Sequence, residues 1–170
     1  MTSIDISRWN HNIGLGDPHY SLVLRDSKIS DKILRALKLK EEKENLVFPF
    51  FSLLDPNKIV GAFTATWNKK QYYQGLRGRA NDYLYPLCVP NVDLDPTKLL
   101  HLVRSPLSVA EYLSDNKNAI AFCRDDKISD SLVEYIINND IKEIKCVGLR
   151  RSYILERNLY EAGHNCLVRS

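Results

Sequence analysis

Apolar and polar positions alternate along the chain in a pattern that predicts strands first and a strand–helix alternation later. Runs rich in apolar, β-branched and aromatic residues at 19–25, 45–54 and 58–67 predict three strands. A short Asp-Pro-Asn turn separates the second run from the third, so these two are expected to pair as a hairpin. Pro49 in the second run predicts an edge position or a bulge, because proline has no N–H to donate to a neighbouring strand.

A helix is predicted over residues 28–44, between the first two strands. Helical spacing relates Ile29, Ile33, Leu34 and Leu37, so one face is apolar and the other carries Lys and Glu. The candidate N-caps are Asp26, Ser27 and Ser30. The charges on this helix are expected to form a solvated face.

The last third of the chain alternates between the two element types. Residues 95–103 are predicted as a short helical turn. A helix is predicted next, and the order strand, helix, strand, helix, strand follows from residue 118. That order predicts a βαβαβ run with parallel pairing. The predicted fold class is mixed α+β: a twisted barrel-like or mixed sheet with flanking helices, followed by the βαβαβ-like run.

We predict a single domain over residues 1–170, with a candidate subdivision into a β-rich part, 1–105, and an α/β part, 106–170. The composition, 44% hydrophobic and 26% charged, is that of a globular chain that buries its own core. The net charge of +3 permits an anionic partner without requiring one. No apolar run reaches membrane-spanning length and the N-terminus has no signal pattern, so we expect no membrane contact and a cytoplasmic location.

Four cysteines lie in apolar, strand-like contexts, without the spacing of a zinc site. They are Cys88, Cys123, Cys146 and Cys166. We expect buried, reduced thiols in a reducing compartment. No metal and no cofactor is expected.

The strongest functional signal is a basic aromatic segment, KKQYYQGLRGRAND, predicted as a loop over residues 69–82. Cations neutralise phosphates and aromatic faces stack on bases, so the combination indicates a nucleic acid, either RNA or DNA. The competing interpretation is a solvated hairpin loop whose tyrosines pack on their neighbours. The candidate nucleic-acid-binding residues are Trp67, Lys69, Lys70, Tyr72, Tyr73, Arg77 and Arg79.

A second candidate is the sequence VGLRRS. A strand ending at Val147, then Gly148, then a helix starting near Arg151 would place backbone N–H groups at a helix N-terminus. Arg150 and Arg151 would add positive charge there, so a phosphate could bind at Gly148 and these two arginines. The ligand of such an α/β protein would lie at the carboxyl ends of the strands, near these residues and Arg124. The alternative is an ordinary strand-to-helix turn with exposed arginines.

Catalytic patterns are weak. There is no nucleophile elbow and no cysteine in an electropositive loop beside a histidine. Asp125, Asp126 and Lys127 match a metal-dependent nuclease in residue type alone. Asp126 is better explained as the polar entry to the next helix. We therefore predict no catalytic residues.

Three stretches resemble the EVE and PUA-like domains, small twisted β-barrels that read RNA or modified DNA bases. They are HYSLVLR, NKIVGAFTAT and YLYPLCVPNVDLDPTKLL, and the region they bracket, residues 19–100, is about half of the chain. The resemblance implies a pocket for a flipped base, with Trp67 and the tyrosines after it in the wall. The chain departs from these domains in its Lys- and Glu-rich helix and in its tail over residues 141–170.

The favoured function is a non-enzymatic nucleic-acid binder that acts through residues 67–79, including a reader of modified or flipped bases. One alternative is an α/β enzyme or sensor that binds a nucleotide or phosphate ligand at the C-terminal run. The other is a protein-interaction module with a tyrosine-rich surface.

Overall fold

The computed structural model describes most of the chain. The described residues are 3–10, 28–42, 45–52, 55–68, 71–78, 94–95, 97–121, 128 and 130–170, with the backbone alone for 41–42, 45, 66–68 and 71–78. The predicted strand at 19–25 and the cysteines Cys88 and Cys123 lie outside these ranges.

Five strands form an antiparallel sheet. They are β1 (Ile4–Asp5), β2 (Lys40–Glu42), β3 (Asn45–Phe51), β4 (Lys58–Asn68) and β5 (Gln71–Gly78). The long strand β4 pairs with β3 along one edge and with both β1 and β5 along the other. The predicted hairpin of the second and third apolar runs is confirmed as the pair β3–β4.

Pro49 lies where its missing N–H is tolerated. β2 pairs with β3 only as far as Val47, so Pro49 has β4 as its partner on one edge, where it is opposite Ala62, and no β2 partner on the other. The register of β3 on β4 then shifts between Phe50 and Phe51. Pro49 therefore has the edge position that was predicted as one alternative, and the pairing irregularity that was predicted as the other follows within two residues of it.

The predicted helix over 28–44 is wrong beyond its first half. The helix α1 spans Asp31–Ala36, with Ser30 as its N-cap, as expected. Lys38 has φ of +56°, a left-handed conformation that ends the helix, and the chain continues as β2. Leu37 and Leu39 are both fully buried, which is the two-residue period of a strand and not a helical period.

Four parallel strands form the second sheet. They are β6 (Leu100–Val103), β7 (Asn118–Ala121), β8 (Glu143–Cys146) and β9 (Leu167–Arg169), in the order β7-β6-β8-β9. Three helices connect them in sequence: α2 (Pro106–Ser114), α3 (Asp130–Asn138) and α4 (Ser152–Glu161). The predicted βαβαβ run is confirmed, and the predicted helical turn over 95–103 is wrong, because its second half is the first parallel strand.

The parallel sheet lies between two buried clusters, and β6 contributes to both. Leu100 and Leu102 pack with the apolar faces of α3 and α4, whereas Val103 packs with α2 and with the antiparallel sheet. This alternation explains why β6 is a strand. Each fully buried Leu or Ile contributes about 1.5–3 kcal/mol, so residues on both faces hold the sheet in place.

The fold class, mixed α+β with a C-terminal β/α run, is confirmed. The chain passes from the antiparallel to the parallel sheet between Gly78 and Leu100. The single-domain prediction and its candidate boundary at residues 105 and 106 stay predictions. Among the described residues, no helix combines the length and the apolar character that crossing a membrane requires.

Candidate functional site

The predicted basic loop is in large part a strand. β5 pairs with β4 through eight residue pairs from Asn68–Gln71 to Gly61–Gly78. The prediction of a loop over 71–78 is therefore wrong. Tyr72, Tyr73 and Leu76 favour extended backbone, and pairing with β4 satisfies the backbone polar groups.

The register divides the candidate residues in this hairpin into two sets. Neighbours along a strand alternate between faces, and residues opposite each other on paired strands share one. Trp67 is opposite Tyr72, so these two lie on one face of the β4–β5 pair, and Tyr73 and Arg77 lie on the other.

Three of the predicted binding residues, Lys69, Lys70 and Arg79, lie outside the described residues, as does Arg124. Nucleic-acid binding by the seven-residue set stays a prediction.

A different edge of the molecule brings cations together. The chain leaves β6 to form β7 on one side and then crosses back to form β8 on the other, so the strand order reverses between β6 and β8. In open α/β sheets, ligands bind outside the carboxyl ends of the strands at such a point. The backbone N–H of Val147 donates to the carbonyl of Leu102 at 2.8 Å, so these two ends lie side by side.

Gly148 occupies the turn that follows β8. Its φ of +80° is left-handed, a conformation that favours glycine. A Cβ at this position would lie 2.9 Å from Cδ and 3.3 Å from Cγ of Arg104, the residue that follows β6. The aliphatic part of Arg104 therefore lies over Gly148 and occupies space that a phosphate resting on this backbone would need.

Replacing Gly148 with alanine is expected to lower the free energy of unfolding by more than the same change at Gly163. Both glycines have left-handed φ, which costs an alanine about 1–2 kcal/mol. A Cβ at Gly163 would meet nothing within 4 Å, so that variant reports the backbone cost alone. Urea unfolding of both variants gives the excess at Gly148. Adding Arg104→Ala should remove most of the excess, and equal losses at the two glycines would contradict the contact with Arg104.

Two further arginines and a tyrosine extend this edge. Arg150 and Arg151 are exposed, and neither forms an ion pair with a described residue. Tyr153, the second residue of α4, is 61% exposed. The first turn of α4 contains no acidic residue and Arg151 makes no side-chain cap. We call Arg104, Arg150, Arg151 and Tyr153 the arginine edge.

The sequence predicted only part of this edge. The strand, glycine and helix around VGLRRS are arranged as expected, with β8 ending at Cys146 and α4 beginning at Ser152. Arg104 was missed because the residues before it were assigned to a helical turn. Leu100 and Leu102 are two residues apart, which is the period of a strand, and both are buried. This spacing is the sequence signal that would have placed Arg104 at a strand end.

The two described cysteines are poor nucleophiles and poor metal ligands. Burial raises the pKa of Cys146 and of Cys166 to about 11, so both remain protonated thiols at neutral pH. Both are free cysteines. Within the described ranges, no three His, Cys, Asp or Glu side chains are grouped so that they could hold a metal ion.

The fold is similar to that of a solved protein. The structure of the DnaG catalytic core matches with a TM-score of 0.61 and 11% sequence identity, over 88% of this chain and 62% of that chain. This chain therefore spans about 62% of the length of the DnaG structure. At this identity the likeness is one of fold alone. No protein-family model matches the sequence, and no curated protein matches it.

Proposed function

We propose that the protein binds a nucleic acid at the arginine edge, without catalysis. The observation that carries the proposal is the exposure of Arg150 and Arg151, which have no ion-pair partner among the described residues, together with that of Tyr153, two residues further along the chain. Cations and a free aromatic face are the two features that a single-stranded nucleic acid requires of its binding surface.

The chemistry of each group fits this role. A guanidinium donates two parallel hydrogen bonds to a phosphate and stays charged at every physiological pH. The ring of Tyr153 offers a face for a base, an interaction that contributes about 1–3 kcal/mol. Phosphate contacts and stacking tolerate any sequence, so we expect binding with little base specificity.

We propose binding and not catalysis because no carboxylate is present among the described residues that follow β6 and β8. These residues are Arg104–Ser105 and Val147–Arg151. The fold likeness to the catalytic core of DnaG is compatible with the proposal. At 11% identity it transfers no residue role to this chain.

A second contact is proposed at the β4–β5 hairpin. Trp67 is opposite Tyr72, which places two aromatic residues on one face. The EVE and PUA-like resemblance implies a base pocket, and these two residues would belong to its wall. Lys69 and Lys70 separate the two strands in sequence and would supply phosphate contacts next to it.

The nucleotide or phosphate-ligand alternative is less well supported. It needs close approach of a phosphate to the backbone at Gly148, and the side chain of Arg104 occupies that position. The left-handed φ and the contact with Arg104 together explain why a glycine occupies position 148. A bound small ligand is not needed to explain this residue.

The double variant Arg150→Ala/Arg151→Ala tests the phosphate contacts. Fluorescence anisotropy with labelled single-stranded DNA and RNA should show affinity falling at least about 100-fold, since each of the two lost hydrogen bonds to a charged group contributes about 1.5–3 kcal/mol and about 1.4 kcal/mol corresponds to a tenfold change. The slope of log K against log[salt] should become shallower by about 1.4, or 0.7 for each phosphate that the variant no longer neutralises.

The matched control is Lys142→Ala/Lys145→Ala. It removes the same charge from two exposed lysines outside the arginine edge, Lys142 directly before β8 and Lys145 within it. Equal weakening by both double variants would attribute binding to net charge and overturn the arginine edge. Absence of binding by the unmodified protein would overturn the proposed function itself and favour the protein-interaction module.

Tyr153→Ala tests stacking, and Tyr160→Ala is its control on the same helix. Tyr153 is 61% exposed and Tyr160 is 81% exposed, so neither change disturbs a core. Removal of a stacked base should weaken single-strand binding by about 1–3 kcal/mol without changing the salt slope, because stacking releases no counterions. Equal effects of the two variants would remove Tyr153 from the site. Lys69→Ala/Lys70→Ala tests the hairpin in the same assay.

A further inference from the structure

A second charged feature lies at the opposite, amino-terminal end of the parallel strands. Helix α1, the end of α2 and the segment before β6 enclose a groove of about 630 Å³. Asn118, the first residue of β7, lines it together with Asp95. This volume falls within the range typical of small-molecule sites, roughly 300–1,000 Å³.

The described residues that line the groove carry an excess of positive charge. Five are cations: Lys32, Arg35, Lys38, Lys98 and Lys117. Two are acids, Asp31 and Asp95, which leaves a net charge of +3. The whole chain has 24 basic and 21 acidic residues, also a net +3, so the remainder of the chain is balanced.

One of the two acids within the groove, Asp95, is already engaged. The carboxylate of Asp95 accepts from the backbone N–H of Thr97 at 3.0 Å and from its hydroxyl at 2.6 Å, and these hydrogen bonds hold its pKa below the usual value. Lys98 lies 3.8 Å from it as an exposed ion pair. In contrast, Lys32 and Arg35 form no ion pair with any described residue.

Hydrogen bonds fix the walls of the groove before any ligand binds. The amide of Asn118, which is 8% exposed, accepts from the backbone N–H of Asp95 at 3.1 Å and donates to the carbonyl of the same residue. The backbone N–H of Ser30 donates to the hydroxyl of Ser114 at 2.9 Å, which ties the start of α1 to the end of α2. Pre-ordered walls reduce the entropy cost of binding.

We propose that this cationic groove binds an oligophosphate, a chain of two or three linked phosphates. Linked phosphates place several negative charges in a small volume, which matches cations contributed by three separate segments. A nucleic acid spaces its phosphates with sugars, and no aromatic residue is among the described residues that line the groove, so stacking of bases is not provided there. This site is separate from the arginine edge and goes beyond the proposed function.

Isothermal titration with tripolyphosphate, ATP and adenosine tests the proposal and separates its two sources. Tripolyphosphate should bind, ATP should bind with similar affinity through its phosphate chain, and adenosine should not bind. Binding of ATP but not of tripolyphosphate would show that the nucleoside is recognised and would overturn the proposal. No binding of either would also overturn it.

Two variants of residues that line the groove are expected to change the affinity for tripolyphosphate in opposite directions. Lys32→Ala/Arg35→Ala, at exposed positions of α1, should weaken tripolyphosphate binding at least about tenfold, because the variant cannot form two of the charge-assisted hydrogen bonds. Asp31→Asn removes a negative charge from the same wall and should strengthen binding.

Two controls remove equal charge elsewhere. Lys142→Ala/Lys145→Ala and Arg150→Ala/Arg151→Ala should both leave tripolyphosphate binding unchanged. The second also distinguishes this groove from the arginine edge, because it should weaken nucleic-acid binding alone. Unchanged affinity in both the Lys32→Ala/Arg35→Ala and the Asp31→Asn variants would overturn the assignment of the groove.

Discussion

Replacing Phe48 with alanine is expected to lower the free energy of unfolding by about 3–5 kcal/mol. Phe48 is fully buried in β3, and its ring meets that of Phe63 on β4 edge-on, with centroids 6.0 Å apart and planes at 69°. Truncation removes this aromatic pair and leaves a cavity between two paired strands. Guanidinium unfolding followed by circular dichroism measures the change.

Two controls define the size of the Phe48 effect. Phe48→Leu keeps much of the volume and should cost under about 1.5 kcal/mol if the site repacks. Tyr160→Ala, at an 81% exposed position, should stay within about 0.5 kcal/mol of the original protein. A decrease below about 1 kcal/mol for Phe48→Ala would be too small for a packed core position and would contradict the observed packing of β3 on β4.

The elements that the sequence predicts well are those whose pattern is local. The β3–β4 hairpin follows from two β-rich runs on either side of Asp55, Pro56 and Asn57, and the turn brings them together without help from the remaining chain. The strands and helices from Asn118 onward have apolar periods that each element shows by itself.

The errors occur where distant contacts decide the structure. A continuous helix would fit Ile33 and Leu37, but pairing of Lys40–Glu42 with β3 satisfies backbone groups that the helix would otherwise use. In β5, Gly75 and Gly78 suggest a loop, and pairing with the neighbouring strand β4 makes this segment extended. Local propensity is a weak guide when a sheet edge is available.

The same distinction applies to the candidate sites. The strand-to-helix turn can be predicted from the sequence because Gly148, Arg150 and Arg151 lie within four consecutive positions. The contact of Gly148 with Arg104 joins positions that are far apart in sequence and meet only because β6 and β8 are neighbours. The cationic groove gathers charges from three segments, so no single window of the sequence indicates it.

Replacing Leu102 with alanine is expected to lower the free energy of unfolding by about 2–5 kcal/mol. Leu102 is fully buried at the centre of the parallel sheet, opposite Ile120 on β7 and Cys146 on β8. Its side chain belongs to the cluster formed with α3 and α4. Guanidinium unfolding again measures the change, and Leu102→Met, which conserves volume, should cost under about 1.5 kcal/mol.

Leu102→Ala also tests whether the two sheets unfold together. Val103, the next residue, packs into the cluster that contains Phe48, so β6 carries side chains of both clusters. Disruption of β6 should therefore lower the midpoint equally for circular dichroism and for the fluorescence of Trp9, measured in a Trp67→Phe background that removes the second tryptophan. Trp9 is buried in the cluster that contains Phe48. A Trp9 transition that stays at its original midpoint while the dichroism shifts would show two units and contradict the single-domain prediction.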